Sequence, residues 1–141
     1  MKQPTFIKVG SDGQDLPSDA PDWVAIRLPE NGLIFTATHI NTEQANQESL
    51  QRQASDLALL GHSDWDLPTI EELALLVDRS RVDPAINTEF FRDIESDWYW
   101  SKTSAAWSSA SAWVVSFNNG GVYGFRRDFN GFALAVRRVG Q

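Results

Sequence analysis

The sequence predicts an α+β domain, and three observations predict it. Short, turn-separated stretches with strand composition fill the first forty residues; two segments with helix start and stop signals follow; and the last forty residues alternate as an antiparallel meander does. Helices and strands segregated in this way do not make the βαβ repeat of a parallel sheet. The chain has 141 residues, a length that fits one domain spanning 1–141 and one main core.

The first strands are expected at Phe6–Val9 (FIKV), Trp23–Arg27 (WVAIR) and Leu33–Thr38 (LIFTAT). These are β-branched and aromatic runs, parted by the turn-rich GSDGQDLPSDAPD and LPENG. A long helix is expected from Asn41 to Leu60, capped by Asn41 or Thr42 and stopped at Gly61, because it holds no Gly or Pro and carries an apolar stripe of Ala45, Leu50, Ala54 and Leu57. The second helix starts inside HSDWDLPTIEELALL. Pro68 sets the chain, Thr69 caps, and Glu72 three residues later completes a capping box, while Ile70, Leu73, Leu76 and Val77 share one face. The right half of that stretch is an amphipathic helix, and Trp65 and Leu67 before it enter the core.

An irregular segment follows, with DPAINTEFF delivering Phe90 and Phe91 to the core and DWYWSKTSAAWSSAS read as a Ser- and Ala-rich loop. SAWVVSF then alternates Trp113, Val115 and Phe117, and the tetrad Asn118–Gly121 tolerates positive φ, so a hairpin to VYGF is expected. FALAVRRV closes the sheet with Phe132, Leu134 and Val136 on one side. Of the tryptophans, Trp65, Trp100 and Trp113 are assigned to the core.

Composition narrows the function classes. The net charge is −7, unevenly placed: residues 1–100 carry 7 Lys and Arg against 18 Asp and Glu, a balance of −11, and residues 101–141 carry 5 against 1, a balance of +4. This is the reverse of a nucleic-acid binder, which presents a basic patch and a high pI. No apolar run is long enough to cross a bilayer and the N-terminus lacks an export-signal pattern, so no membrane partner and a cytoplasmic location are expected. Absence of cysteine excludes disulfides, thiol nucleophiles and thiolate metal sites. Six Trp and eight Phe leave aromatic surface beyond what a core of this size consumes.

The ordered pieces GLIF (Gly32–Phe35), DWDLPTIEEL (Asp64–Leu73), INTEFF (Ile86–Phe91), WYWS (Trp98–Ser101), AWVVSFNNGGV (Ala112–Val122) and AVRRV (Ala135–Val139) resemble the Lcl C-terminal-like family, domain of unknown function 1566 (DUF1566). The resemblance covers about residues 32–139. It implies a C-type-lectin-like fold, shared with formylglycine-generating enzymes and phage variable proteins: two helices flanking a small twisted antiparallel sheet, near chain ends, and a loop-rich half that binds. Members of the family commonly have Arg where this chain has Asp66. The cysteine chemistry of the formylglycine-generating relatives is ruled out by composition, and fold transfers better than function.

Catalytic and metal signals are thin, so no enzyme activity and no cofactor are expected. His39 and His62 do not have metal-ligand spacing. Asp93, Glu95 and Asp97 alternate before Trp98 and would face one side of an extended loop, where calcium is an alternative to plain solvation. The leading expectation is a binding module for a protein partner, using Trp98, Tyr99, Trp107, Tyr123, Arg126, Arg127, Asp128 and Asn130 on a face built from residues 93–111 and 118–131. A phage- or mobile-element-encoded inhibitor or accessory factor fits the small size and acidity. The same rings would equally well close a small core. Two rival classes stay open: carbohydrate or glycosaminoglycan binding through Arg126, Arg127, Arg137 and Arg138, and a hydrolase using Asp93 and Asp97. Homo-oligomerisation also stays open, with no coiled coil to enforce it.

Overall fold

A computed structural model describes residues 3–139. Its elements run β1 (Ile7–Val9), β2 (Asp15–Leu16), β3 (Ala25–Leu28), β4 (Leu33–Thr36), α1 (Gln47–Ser55), α2 (Ile70–Ala74), β5 (Trp98–Ala105), β6 (Ser108–Ser116), β7 (Val122–Arg126) and β8 (Val136–Arg138). This is an α+β architecture. The strands form two antiparallel sheets, one five-stranded in the order β2-β1-β3-β4-β8 and one three-stranded in the order β5-β6-β7. The expected single sheet is thus divided. The closing β8 leaves the meander to pair with β4, Leu33 opposite Arg138 and Phe35 opposite Val136.

The N-terminal strands lie close to where strand composition places them. The long helix does not. It is only Gln47–Ser55, capped by Asn46, whose Oδ1 accepts from Ser49 N at 2.9 Å. Asn41, the expected cap, is instead buried. Its amide donates to Glu43 O (2.8 Å) and Gly131 O (3.2 Å) while its Oδ1 accepts from Ala133 N (3.2 Å). Residues 41–46 are held as irregular chain against 131–133, with Ala45 bridged to Gly131, because pairing with that segment satisfies buried backbone that a helix there would leave orphaned. At the other end a separate 3-10 turn, Leu59–Gly61, has Leu60 at φ 59° and Gly61 at φ 74°, and Leu59 O accepts the Trp65 indole N–H at 3.0 Å.

The second helix starts as expected. Thr69 N donates to Glu72 Oε1 (2.8 Å) and Glu72 N to Thr69 Oγ1 (3.2 Å), a complete capping box. The helix is short, with Leu76 and Val77 beyond its end and still buried. Its first turn is pinned from outside, since Thr103 Oγ1 on β5 accepts Ile70 N at 2.9 Å.

Two buried clusters lie on the two sides of the three-stranded sheet. Directly paired strand residues share a face. Trp100 pairs with Val114, Val114 with Tyr123 and Ala112 with Phe125, so these side chains lie together on one face. There Trp100, Ala112 and Val114 join Leu50, Ala54, Trp65, Leu67, Ala133 and Ala135. On the opposite face Tyr99 and Val115 join Phe35, Leu73, Phe91, Phe117, Leu134 and Val136. The segment 131–136 is buried on both sides, alternating Phe132, Leu134 and Val136 into one cluster and Ala133 and Ala135 into the other. Burying each large side chain in these clusters contributes about 1.5–3 kcal/mol.

Candidate functional site

The stretch expected as a Ser- and Ala-rich loop is β5 and the start of β6. Trp98 to Ala105 form an eight-residue strand, and Ala106–Trp107 are the turn into β6. Its aromatic triplet therefore alternates, and the alternation corrects one expected site residue. Tyr99 is fully buried among core rings, 5.1 Å from Phe117 and 5.7 Å from Phe132, with its hydroxyl accepting Glu95 N at 3.0 Å. Burial pushes its phenol well above the usual tyrosine range. Tyr99 is a core residue because both faces of β5 are covered.

The other expected residues gather about β7. Trp98 is half-buried, its ring 4.8 Å from Phe125 and its indole N–H donating to Asn130 O at 2.9 Å. Gly131 follows directly, and a Cβ there would meet the Trp98 indole at 2.5 Å, so the glycine permits this ring to seat. Tyr123 stacks toward Phe125 at 6.2 Å, and Phe125 contacts Phe129 at 5.8 Å. On the opposite face Trp107 stands edge-on to Trp113 at 5.1 Å and covers Gly124. Trp113, assigned to the core, is only half-buried and is the floor for Trp107.

The polar members act mainly on one another. Arg126 donates to Asp128 at 3.1 Å, both well exposed. Arg127 donates to Ser109 O (2.9 Å) and Ser104 Oγ (2.5 Å), tying the loop after β7 to the β5–β6 hairpin. Sequence reasoning missed Val122, Phe125 and Phe129. Phe125 was marked by the period-two spacing from Tyr123, whereas Phe129 lies in a turn and carries no such signal. Among the described residues the large exposed apolar side chains are Val82, Trp107, Val122, Tyr123 and Phe129. All but Val82 belong to β7 or pack against it.

The other arginines are occupied elsewhere. Arg138 donates to Glu72 at 2.7 Å through Nε and Nη2, to Asp66 at 2.9 Å and to Leu67 O at 3.3 Å. Lys102 and Gln51 add to Asp66 at 2.7 and 2.8 Å, and Arg137 pairs with Asp64. Burial alone pushes the Asp66 carboxyl up, but hydrogen bonds from Lys102, Gln51 and Arg138 outweigh it and hold the group down to about 2. Burial likewise opposes ionisation of Glu72, and the Arg138 and Thr69 bonds hold it below the usual range. The Arg138 guanidinium is raised by the same partners, Glu72 first. The four arginines proposed for an anionic sugar are therefore divided, two at β7 and two in this ionic joint.

The acidic run before Trp98 does not converge. Asp93 has φ 54°, which breaks the expected alternation, and Asp97 accepts from Gln44 Nε2 (2.7 Å) and Trp98 N (2.8 Å). Among the described residues no group of three or more His, Asp or Glu side chains is arranged to hold a metal ion. His39 lies 5.1 Å from the Phe132 ring with its Nδ1 2.6 Å from Asn41 O, and His62 is exposed after the 3-10 turn. Two surface cavities, of about 480 and 430 Å³, are lined by residues 3–4 with 71–80 and by residues 10–24 with Arg92, sharing nothing with the β7 face. No helix among the described residues is long and apolar enough to cross a membrane.

Two antiparallel sheets with two short helices, and an aromatic strand edge as the most distinctive surface, define a small α+β domain. The sequence profile of the Lcl C-terminal domain matches residues 23–137, and the chain belongs to that family. No curated protein matches it.

Proposed function

We propose that this chain is a non-enzymatic binding module of C-type-lectin-like fold that recognises a protein partner through the β7 face. The observation that carries the reading is the gathering of exposed aromatic side chains, Tyr123 on β7 and Trp107 and Phe129 from the turns beside it. Tyr123 and Phe129, with Phe125 and Trp98 beneath them, give an apolar surface on one face of the sheet, Trp107 and Val122 expose further apolar surface on the other, and Arg126, Asp128 and Asn130 lie beside them. Contiguous exposed rings with a polar rim are the anatomy of a protein interface, in which Trp, Tyr and Arg supply most of the binding energy. The lectin-like fold is supported by family membership and by the strand–helix–helix–meander order. Anionic sugar is the weaker fit, since Arg137 and Arg138 are engaged by Asp64, Asp66 and Glu72.

The test is affinity capture from the source organism's extract with mass spectrometry, wild type beside a Trp107→Ala, Tyr123→Ala double variant. A partner retained by the wild type and lost from the variant is expected. A partner held equally by both would remove the β7 face from the interaction.

A further inference from the structure

β7 is the open edge of the three-stranded sheet. The far side of β5 is covered: Trp100 N donates to Phe132 O (2.9 Å), Phe132 N to Trp98 O (3.1 Å) and Lys102 N to Pro68 O (2.8 Å). β7 pairs with β6 alone. The phase of that ladder is set by Ser116 N to Gly121 O and Arg127 N to Ala110 O, both 2.9 Å. Residues 121, 123, 125 and 127 thus turn their backbone groups toward β6, and Val122, Gly124 and Arg126 turn N–H and C=O outward, the Arg126 carbonyl accepting Phe129 N at 3.0 Å. Natural sheet edges of this kind are usually short, charged or covered. β7 is five residues long, and Arg126 is its single charge.

We propose that a second copy of this chain occupies that edge, antiparallel across a two-fold axis at Gly124, so that two three-stranded sheets become one of six strands. The free outward backbone groups then pair, Gly124 with Gly124 of the second copy and the Arg126 N–H with the Val122 carbonyl of the second copy. Tyr123 of each copy comes opposite Phe125 of the other, the aromatic cross-strand pair that most favours antiparallel strands. Charge selects the direction. In this register the two Arg126 side chains are about 13 Å apart along the strands, beyond the ~8 Å screening length of physiological salt. A parallel pairing would set them face to face.

Exposures of 63% for Trp107, 42% for Tyr123, 45% for Phe129 and 44% for Val122 leave roughly 400 Å² of apolar surface per copy to cover. That area lies below a standard permanent interface, so the dimer is weak and reversible. The proposal rests on reading the β7 face as an interaction surface and adds its occupant in the absence of a partner: the dimer masks the face that the partner needs.

Sedimentation velocity of the full chain across a concentration series tests it, with Val122→Lys and Val122→Glu beside the wild type. Val122 is exposed, so both variants keep the fold. Wild type passes from monomer to dimer; Val122→Lys, set against Arg126 of the second copy, stays monomeric; and Val122→Glu, set against the same arginine, dimerises about tenfold more tightly than the lysine variant. A wild type that is monomeric up to about 0.5 mM, or lysine and glutamate variants that dimerise equally, overturns the proposal. Sedimentation uses no partner, so its failure leaves partner recognition standing, and failed capture with intact dimerisation does the reverse.

Discussion

β8 and β7 each end a sheet, β8 the five-stranded one and β7 the three-stranded one, and they finish their edges with different chemistry. The outer side of β8 is closed by backbone, with Asp66 N donating to Val136 O at 2.9 Å and Val136 N to Asp66 O at 2.8 Å. Side-chain charge then locks that closure, through Arg138 clamped between Asp66 and Glu72 and through Lys102 reaching Asp66 from β5. The edge of β7 has no such cover, and its rings face water. Charge from Arg138, Arg137 and Lys102 goes into holding α2, β5 and β8 together, whereas exposed aromatic surface marks the β7 edge. Asp66 is at the centre of the locked edge, bonded to Arg138, Lys102 and Gln51.

The comparison breaks most readily at Arg138. Replacing it with Ala leaves two half-buried carboxylates without their shared cation, and a loss of about 2–3 kcal/mol in urea unfolding is expected. A loss under about 0.5 kcal/mol would show that the joint is ornamental, as most surface ion pairs are.

Acid offers a gentler probe of the same edge. Asp66 titrates at about 2 in the folded chain, below the 3.8 of an ordinary Asp. Its stabilisation is complete above the ordinary value and is lost as pH falls through the folded value, so stability drops between about pH 4 and pH 2. About 1 kcal/mol of that drop belongs to Asp66 after allowance for screening. Asp66→Asn should flatten the acid limb of a denaturation profile; an unchanged limb would assign it to other carboxylates.

Smaller effects on stability are expected at β7, which sharpens the contrast. Tyr123→Ala removes a large ring yet should cost no more than about 1 kcal/mol, because the residue is 42% exposed and packs on Phe125 at the surface rather than in a closed core. A loss of several kcal/mol would mean that the ring closes the core. Smallest of all is Gly124→Ala. A Cβ there runs into the Trp107 indole, and the turn that carries the indole is free to give way. Trp107 should leave Trp113, changing near-UV circular dichroism with stability almost unmoved; an unchanged spectrum would mean that the ring was not seated on the strand.

Several elements were legible in the sequence for local reasons. The Thr69–Glu72 capping box, the Asn118–Gly121 hairpin and the burial of Trp65 and Leu67 follow from residue type and spacing. The helix from Asn41 to Leu60 was misjudged because propensity described its interior well and said nothing of Asn41, whose amide is spent 90 and more residues away on Gly131 and Ala133. The 97–111 stretch departs from its composition for the opposite reason. Its composition suggests a loop, and its strand exists because β6 and the 131–132 segment pair with it.

At the site, residue type singled out the aromatic and arginine candidates, and all but Tyr99 gather about β7. Tyr99 and Trp98 are neighbours of similar composition; a pleated strand sends them to opposite faces, and only the tertiary packing decides that Tyr99 is closed in by Phe117 and Phe132 while Trp98, at the start of the strand, is half covered. Sequence alone settled the α+β class, the charge asymmetry, the absence of thiol chemistry and the family likeness, since each depends on residue type or local order. Tertiary structure decided that β8 crosses to the other sheet, that Arg137 and Arg138 are spent on carboxylates, and that β7 is left as an open aromatic edge. Those depend on which distant segments meet, and solvent exposure is a property of that meeting.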